Sequence, residues 1–118
     1  MLVNSEAKLL RIFLGENDKI GPVNVYEKIV VEARKANLAG ATVYKGIMGF
    51  GGNSIIRTSK VLRLSEDLPL VVEIVDTEEK IQDFLPTIEA IFEKSDSGGL
   101  ITIEKAQIIK HITSTNQK

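Results

Sequence analysis

The chain contains no cysteine and no tryptophan, and His111 is its single histidine. The absence of cysteine excludes disulfides, zinc–thiolate sites and thiol nucleophiles, and it is compatible with a reducing compartment. One histidine does not make a metal site, and the residues around His111 do not suggest a Ser-His-Asp arrangement. We therefore expect no metal site, no catalytic constellation and a cytoplasmic location.

The sequence also lacks an excess of basic residues and is poor in aromatic ones. Its formal net charge is -1, and aromatic residues make up 5% of the chain. Proteins that bind nucleic acid neutralise many phosphates, and RNA-binding modules stack bases on aromatic side chains. Nucleic acid is therefore not an expected partner. No apolar run approaches the length that spans a bilayer, and 118 residues are typical of one domain.

The apolar pattern predicts an alternation of strands and helices. Alternating or continuous apolar runs predict strands over residues 8–15, 41–48, 70–76 and 100–112. Apolar residues at helical spacing predict helices within residues 24–40 and 76–92. Asp76 and Glu79 have the spacing of a capping box at the second helix. The order β-α-β-β-α-β predicts an α+β, ferredoxin-like fold, in which two helices cover one face of an antiparallel sheet.

The first strand is apolar on both of its faces. Leu10, Ile12 and Leu14 share one face, whereas Leu9 and Phe13 lie on the other. The helices can cover only one of the two faces. An uncovered apolar sheet face indicates association with another molecule, and we therefore expect an oligomer.

Glycines cluster at the end of the second predicted strand, in "GATVYKGIMGFGG" (40–52). The simpler interpretation is a set of turns, with Phe50 as a core side chain. The spacing matches neither a P-loop nor a dinucleotide-binding turn. A second glycine pair, in "SGGLITI" (97–103), precedes the last strand. Consecutive backbone N–H groups without side chains can form an anion-binding concavity, so the pair also allows a ligand site shared between subunits.

Four blocks of the sequence together resemble a known family. The blocks "LLRIFLGE", "LAGATVYKGIMGFG", "LRLSEDLPLVVEIVD" and "GGLITIEK" occur in this order along the chain. They are similar to domain of unknown function 190, a PII-like family, and more distantly to the nitrogen-regulatory PII signalling proteins. The resemblance implies a single PII-like domain over residues 1–118, with a T-loop-like segment at about 52–67 and a frayed tail at 112–118.

The PII resemblance also implies a ligand and an assembly. PII proteins are trimers that bind adenine nucleotides in the clefts between subunits, and no further cofactor is implied. Leu70 and Leu100 stand where PII proteins carry lysines. Fewer cations favour a mono- or diphosphate, AMP or ADP, over a triphosphate. By this resemblance the nucleotide-binding residues are Thr42, Gly49, Phe50, Gly51, Ser97, Gly98, Gly99 and Lys110.

The T-loop-like segment carries three basic residues, Arg57, Lys60 and Arg63. The resemblance implies that a loop of this kind is mobile and contacts a partner, either a membrane transporter or an enzyme. Two other classes of function remain open at this point. One is a small enzyme with an active site in the same intersubunit cleft, and the other is an RNA-binding module with the same order of elements.

Overall fold

The computed structural model describes residues 3–60 and 67–114. Arg63 and the end of the predicted tail, 115–118, lie outside the described residues. Within the described part of the chain, neither helix has both the length and the apolarity needed to cross a membrane. The elements are β1 Val3–Gly15, β2 Lys19–Ile20, β3 Val23–Asn24, α1 Val25–Lys35, β4 Thr42–Lys45, β5 Met48–Gly49, β6 Arg57–Thr58, β7 Pro69–Asp76, α2 Glu78–Ser95 and β8 Leu100–Lys110.

Four strands form the main antiparallel sheet, in the order β4-β7-β1-β8. This order and the two helices confirm the predicted ferredoxin-like fold. The predicted strand over 41–48 is divided in two by the structure. β4 stays in the sheet and pairs with β7, whereas β5 pairs with β6 in a separate two-stranded ribbon. The division occurs at Gly46, whose backbone N–H donates to the Pro69 carbonyl at 2.7 Å.

The core lies between one face of the sheet and the two helices. Leu10 and Ile12 on β1, and Val72 on β7, are completely buried. They alternate with residues on the opposite face, as the period of a strand requires. Their partners are the apolar stripes of the helices, which include Ile29 of α1 and Ile88 of α2.

The start of α2 differs from the prediction. Thr77 is the N-cap, and its hydroxyl accepts a hydrogen bond from the Lys80 N–H at 3.4 Å. The prediction of a capping box that begins at Asp76 is therefore wrong, because the N-cap lies one residue later. Asp76 is only 2% exposed. Its carboxylate accepts from the backbone N–H groups of Ala39, at 2.8 Å, and Thr77, at 2.7 Å. It thereby ties the segment before β4 to the beginning of α2.

We predict that Asp76→Ala destabilises the fold by about 2–3 kcal/mol, because it removes a charged acceptor and leaves the Ala39 and Thr77 N–H groups without their partner. The exposed carboxylate of Asp83, on the same helix, provides a control. Asp83→Ala is expected to change the free energy of unfolding by no more than about 0.5 kcal/mol. Urea unfolding followed by circular dichroism measures both changes, and equal effects would contradict the structural role assigned to Asp76.

Candidate functional site

The sheet face opposite the helices is part apolar and part charged. Phe13 of β1 is 37% exposed, Tyr44 of β4 is 52% exposed and Leu100 of β8 is 59% exposed. Phe13 lies directly opposite Leu100 in the strand register, and Tyr44 lies opposite Val71. We call this surface the open face. It is the second face of β1 that the sequence pattern predicts to need a partner.

An ion cluster occupies the middle of the open face. Arg11 of β1 donates from Nε to Glu73 of β7, at 2.8 Å, and from Nη1 to Glu104 of β8. The hydrogen bond with Glu73 is the main cause that raises the pKa of Arg11, and burial opposes it. Sequence reasoning did not find this cluster. The pattern that indicates it is a basic residue on the central strand and an acidic residue on each of the two neighbouring strands. This pattern can be recognised only once the order of the strands is known.

A groove of about 420 Å³ lies at one end of the open face. Thr42 at the start of β4 and Lys110 at the end of β8 both line it, together with Glu73. The structure thus brings together two predicted nucleotide-binding residues that are far apart in sequence. Among the described residues, no group of three His, Asp or Glu side chains is arranged to hold a metal ion. The other lining residues are Ala39, Gly40, Ala41, Val75, Ile108 and His111.

An extension of the sheet positions Lys110. Pairing between β1 and β7 ends at Lys8 opposite Asp76. Pairing between β1 and β8 continues to Val3 opposite Lys110. The two strands therefore project beyond the end of β7 as a ribbon. Residues of β8 in this extension line the groove. The segment before β4, which is hydrogen-bonded to Asp76, lines it as well.

Two of the clustered glycines are explained by packing. A Cβ on Gly46 would lie 3.0 Å from the Cγ atom of Pro69, and one on Gly49 would lie 3.1 Å from it. A Cβ on Gly51 would meet no atom within 4 Å. Close packing against Pro69 therefore accounts for Gly46 and Gly49, whereas Gly51 has room for a ligand. Phe50 is 69% exposed, so its interpretation as a core side chain is wrong.

The two glycines of the second pair also differ in how closely other atoms approach them. A Cβ on Gly99 would lie 2.7 Å from Cε1 of Phe92 and 3.0 Å from the carbonyl of Phe13, so Gly99 is required for packing between α2 and β8. A Cβ on Gly98 would meet no atom within 4 Å. The backbone N–H of Ser97 already donates to the Ser95 hydroxyl, at 3.3 Å. Gly98 is therefore the position where a ligand has free access to the backbone.

The two glycine segments lie on opposite edges of the sheet. One follows β4 and the other precedes β8, and these are the two edge strands. Three strand spacings of about 4.8 Å separate the edges by about 14 Å. Within one chain the predicted residues thus fall in three places, namely the groove, the β5–β6 ribbon and the turn before β8. The groove of one chain therefore contains only some of the predicted residues.

Acidic residues surround the start of the β5–β6 ribbon. Nζ of Lys45, the last residue of β4, lies 2.6 Å from Oε2 of Glu16. Nearby, Asp18 accepts a hydrogen bond from the Gly15 N–H at 3.0 Å. Burial raises the pKa of Asp18, the hydrogen bond from Gly15 lowers it, and the charge of Asp67 adds a smaller increase. The charge of Lys45 is therefore already offset by this turn. The other described basic residues of the ribbon region, Arg57 and Lys60, are half-buried and exposed, respectively.

Comparison with known proteins gives a family match and several relatives. The family model described as DUF190, "Uncharacterized ACR", matches residues 7–108. A UPF0166 protein of Aquifex aeolicus is 41% identical over 102 residues, which cover 86% of this chain and 92% of the relative. A UPF0166 protein of Methanocaldococcus jannaschii is 37% identical over 105 residues, which cover 89% of this chain and 94% of the relative.

Solved structures with the same fold are PII-like. CPII of Thiomonas intermedia, a nitrogen regulatory PII-like protein solved with ADP, AMP and bicarbonate, aligns with a TM-score of 0.68 and 20% identity. The alignment covers 90% of this chain and 91% of CPII. A PII-like signalling protein of Thermus thermophilus aligns with a TM-score of 0.62 and 14% identity, covering 88% and 90% of the two chains. At these identities the similarity establishes the fold.

Proposed function

The chain belongs to the DUF190 family, and from this premise we propose that it is a PII-like regulatory protein that binds AMP or ADP between the subunits of a trimer. The observation that carries the proposal is the groove in which Thr42 and Lys110 meet. CPII, which shares the fold, was solved with ADP and AMP. In this chain Thr42 and the groove would take the adenosine, and Lys110 together with the free backbone at Gly98 of a neighbouring copy would take phosphate.

The charges around the groove favour a short phosphate chain. Lys110 is the one lysine or arginine among the described residues that line the groove. Leu70 is 3% exposed within the core, and Leu100 is an exposed apolar residue of the open face. Neither position supplies a cation. Charge-assisted hydrogen bonds are the strong contacts to phosphate, so a site with few cations binds AMP or ADP in preference to ATP.

The open face supports the proposed assembly. Phe13, Tyr44 and Leu100 expose large apolar side chains on one side of the sheet, around the Arg11 ion cluster. Burying this face against other copies removes apolar surface from water. The same arrangement would bring the groove of one copy near the Gly98 turn of another. The proposal therefore has two parts, assembly and ligand binding, and each part can be tested separately.

The regulatory part of the proposal concerns the β5–β6 ribbon. It begins directly after β4, which carries Thr42, and Gly51 within it has space for a ligand. A nucleotide that contacts the ribbon in only one of its conformations would shift the population toward that conformation. We propose no chemical reaction of the nucleotide in the groove.

We predict that light scattering on a sizing column gives three times the chain mass of 13.0 kDa. Phe13→Glu places a charge on the open face and is expected to yield monomers. Val31→Glu is the matched control, since Val31 is 48% exposed on the opposite side of the molecule, on α1. A wild-type monomer, or loss of assembly in both variants, would contradict the proposed use of the open face.

We predict that calorimetry shows tighter binding of AMP or ADP than of ATP. Lys110→Gln is expected to weaken ADP binding about tenfold, because it removes a charge-assisted contact. Lys105→Gln removes an exposed lysine of the same strand that does not line the groove, and it should bind normally.

Gly98→Val tests the phosphate position in the same assay. A Cβ at Gly98 has open space, so the variant should fold and assemble while its side chain blocks approach to the backbone. Gly99 is unsuitable for this purpose because a Cβ there collides with Phe92. Normal ADP binding by both Lys110→Gln and Gly98→Val would reject the proposed site.

A further inference from the structure

The β5–β6 ribbon ends in a concentrated apolar surface. We define residues 47–56 as the hairpin tip. Among the residues that the structure describes, its large apolar side chains are more exposed than most others, although a folded domain normally buries such residues. The turn is closed by a hydrogen bond from the Ser54 N–H to the Gly51 carbonyl at 2.9 Å. The exposed fractions are 77% for Ile47, 58% for Met48, 69% for Phe50, 49% for Ile55 and 59% for Ile56.

The apolar side chains are distributed over both arms of the tip. Ile47 and Met48 lie before the turn, where β5 begins at Met48. Ile55 and Ile56 lie after the turn, directly before β6. A lipid interface that surrounds the tip removes the apolar groups of both arms from water together.

The charged residues that the sequence places within and directly after the tip are basic, whereas the acidic residues described above lie at the start of the ribbon. Between Glu32 and Glu66 the sequence contains no acidic residue, although the whole chain has a net charge of -1. Arg57 and Lys60 follow the tip directly. Arg57 lies opposite Gly49 in the register, at the base of the tip. Apolar residues flanked by arginine and lysine match a membrane interface, where the chains enter the acyl boundary and the cations meet anionic headgroups.

We propose that the hairpin tip docks this protein on an anionic lipid bilayer, with Phe50 and its apolar neighbours in the interface and Arg57 and Lys60 at the headgroups. The inference rests on the exposed side chains and charges of the ribbon, and its test requires no nucleotide. Docking of this kind is peripheral and reversible, because a small apolar area and two cations give modest affinity.

Vesicle sedimentation tests the proposal with the full-length protein. Vesicles of mixed phosphatidylglycerol and phosphatidylcholine should pellet the protein, and vesicles of phosphatidylcholine alone should pellet much less. Arg57→Gln with Lys60→Gln is expected to lower the partition coefficient about 30-fold, from about 1 kcal/mol for each basic residue near the surface. Phe50→Ser with Ile56→Ser should lower it at least about tenfold through lost apolar burial.

Ile112→Ser is the matched control for the apolar variant. Ile112 is 74% exposed but lies outside the hairpin tip, so its replacement should leave the partition coefficient unchanged. Equal decreases of the partition coefficient in Ile112→Ser and in the tip variant would overturn the proposal. Binding would then depend on the total exposed apolar surface and not on the tip.

Fluorescence gives a second readout, which reports the surroundings of the tip in the bound protein. The chain has no tryptophan, so Phe50→Trp introduces a single reporter at the tip. Its emission should shift to the blue with the mixed vesicles, whereas a Val31→Trp reporter on α1 should not shift. Failure of the wild-type protein to pellet with anionic vesicles, or equal shifts of both reporters, would overturn the proposal. The first result would assign the tip to a protein partner instead.

Discussion

The structure depends on the two-sided apolar character of its central strand. β1 pairs with β7 on one edge and with β8 on the other, so it is a central strand and its side chains contribute to both faces of the sheet. Leu10 and Ile12 are buried completely against the helices. Phe13 remains 37% exposed on the open face. The helices cover only one face of the strand. The proposals for assembly and for a shared ligand site follow from the second face, which the helices leave open.

The Arg11 cluster determines what the open face can contact. Arg11 hydrogen-bonds to Glu73 and forms an ion pair with Glu104, so the three side chains carry a net charge of -1 within an apolar surround. Burying charged groups is unfavourable unless their hydrogen bonds are satisfied. A generic apolar surface would leave this cluster unmatched.

The sequence predicted the fold because apolar periodicity is strong in β1, β7 and both helices. It was less informative where one residue or one close contact decides the structure. The buried Asp76 belongs to the loop before β4 and to α2 together, and that long-range link cannot be read from local capping rules. The simpler interpretation of the glycine cluster placed Phe50 in the core, but the ribbon that carries it leaves the sheet and Phe50 is exposed.

The candidate site was predictable only in part. The resemblance predicts Thr42 and Lys110 as nucleotide-binding residues, and both line one groove. The glycines looked equivalent in the sequence, whereas Gly99 is needed for contact with Phe92 and Gly98 is not. That distinction depends on backbone approaches of about 3 Å between elements, which sequence spacing does not encode.

A crystal structure of the protein grown with ADP is the most direct test of the central claim. The account predicts ADP between two copies, with adenosine beside Thr42 of one copy and phosphate between Lys110 of that copy and Gly98 of the next. It also predicts that the copies contact each other through their open faces. ADP bound wholly within one chain, or copies joined through α1 and α2 with the open faces in solvent, would contradict it.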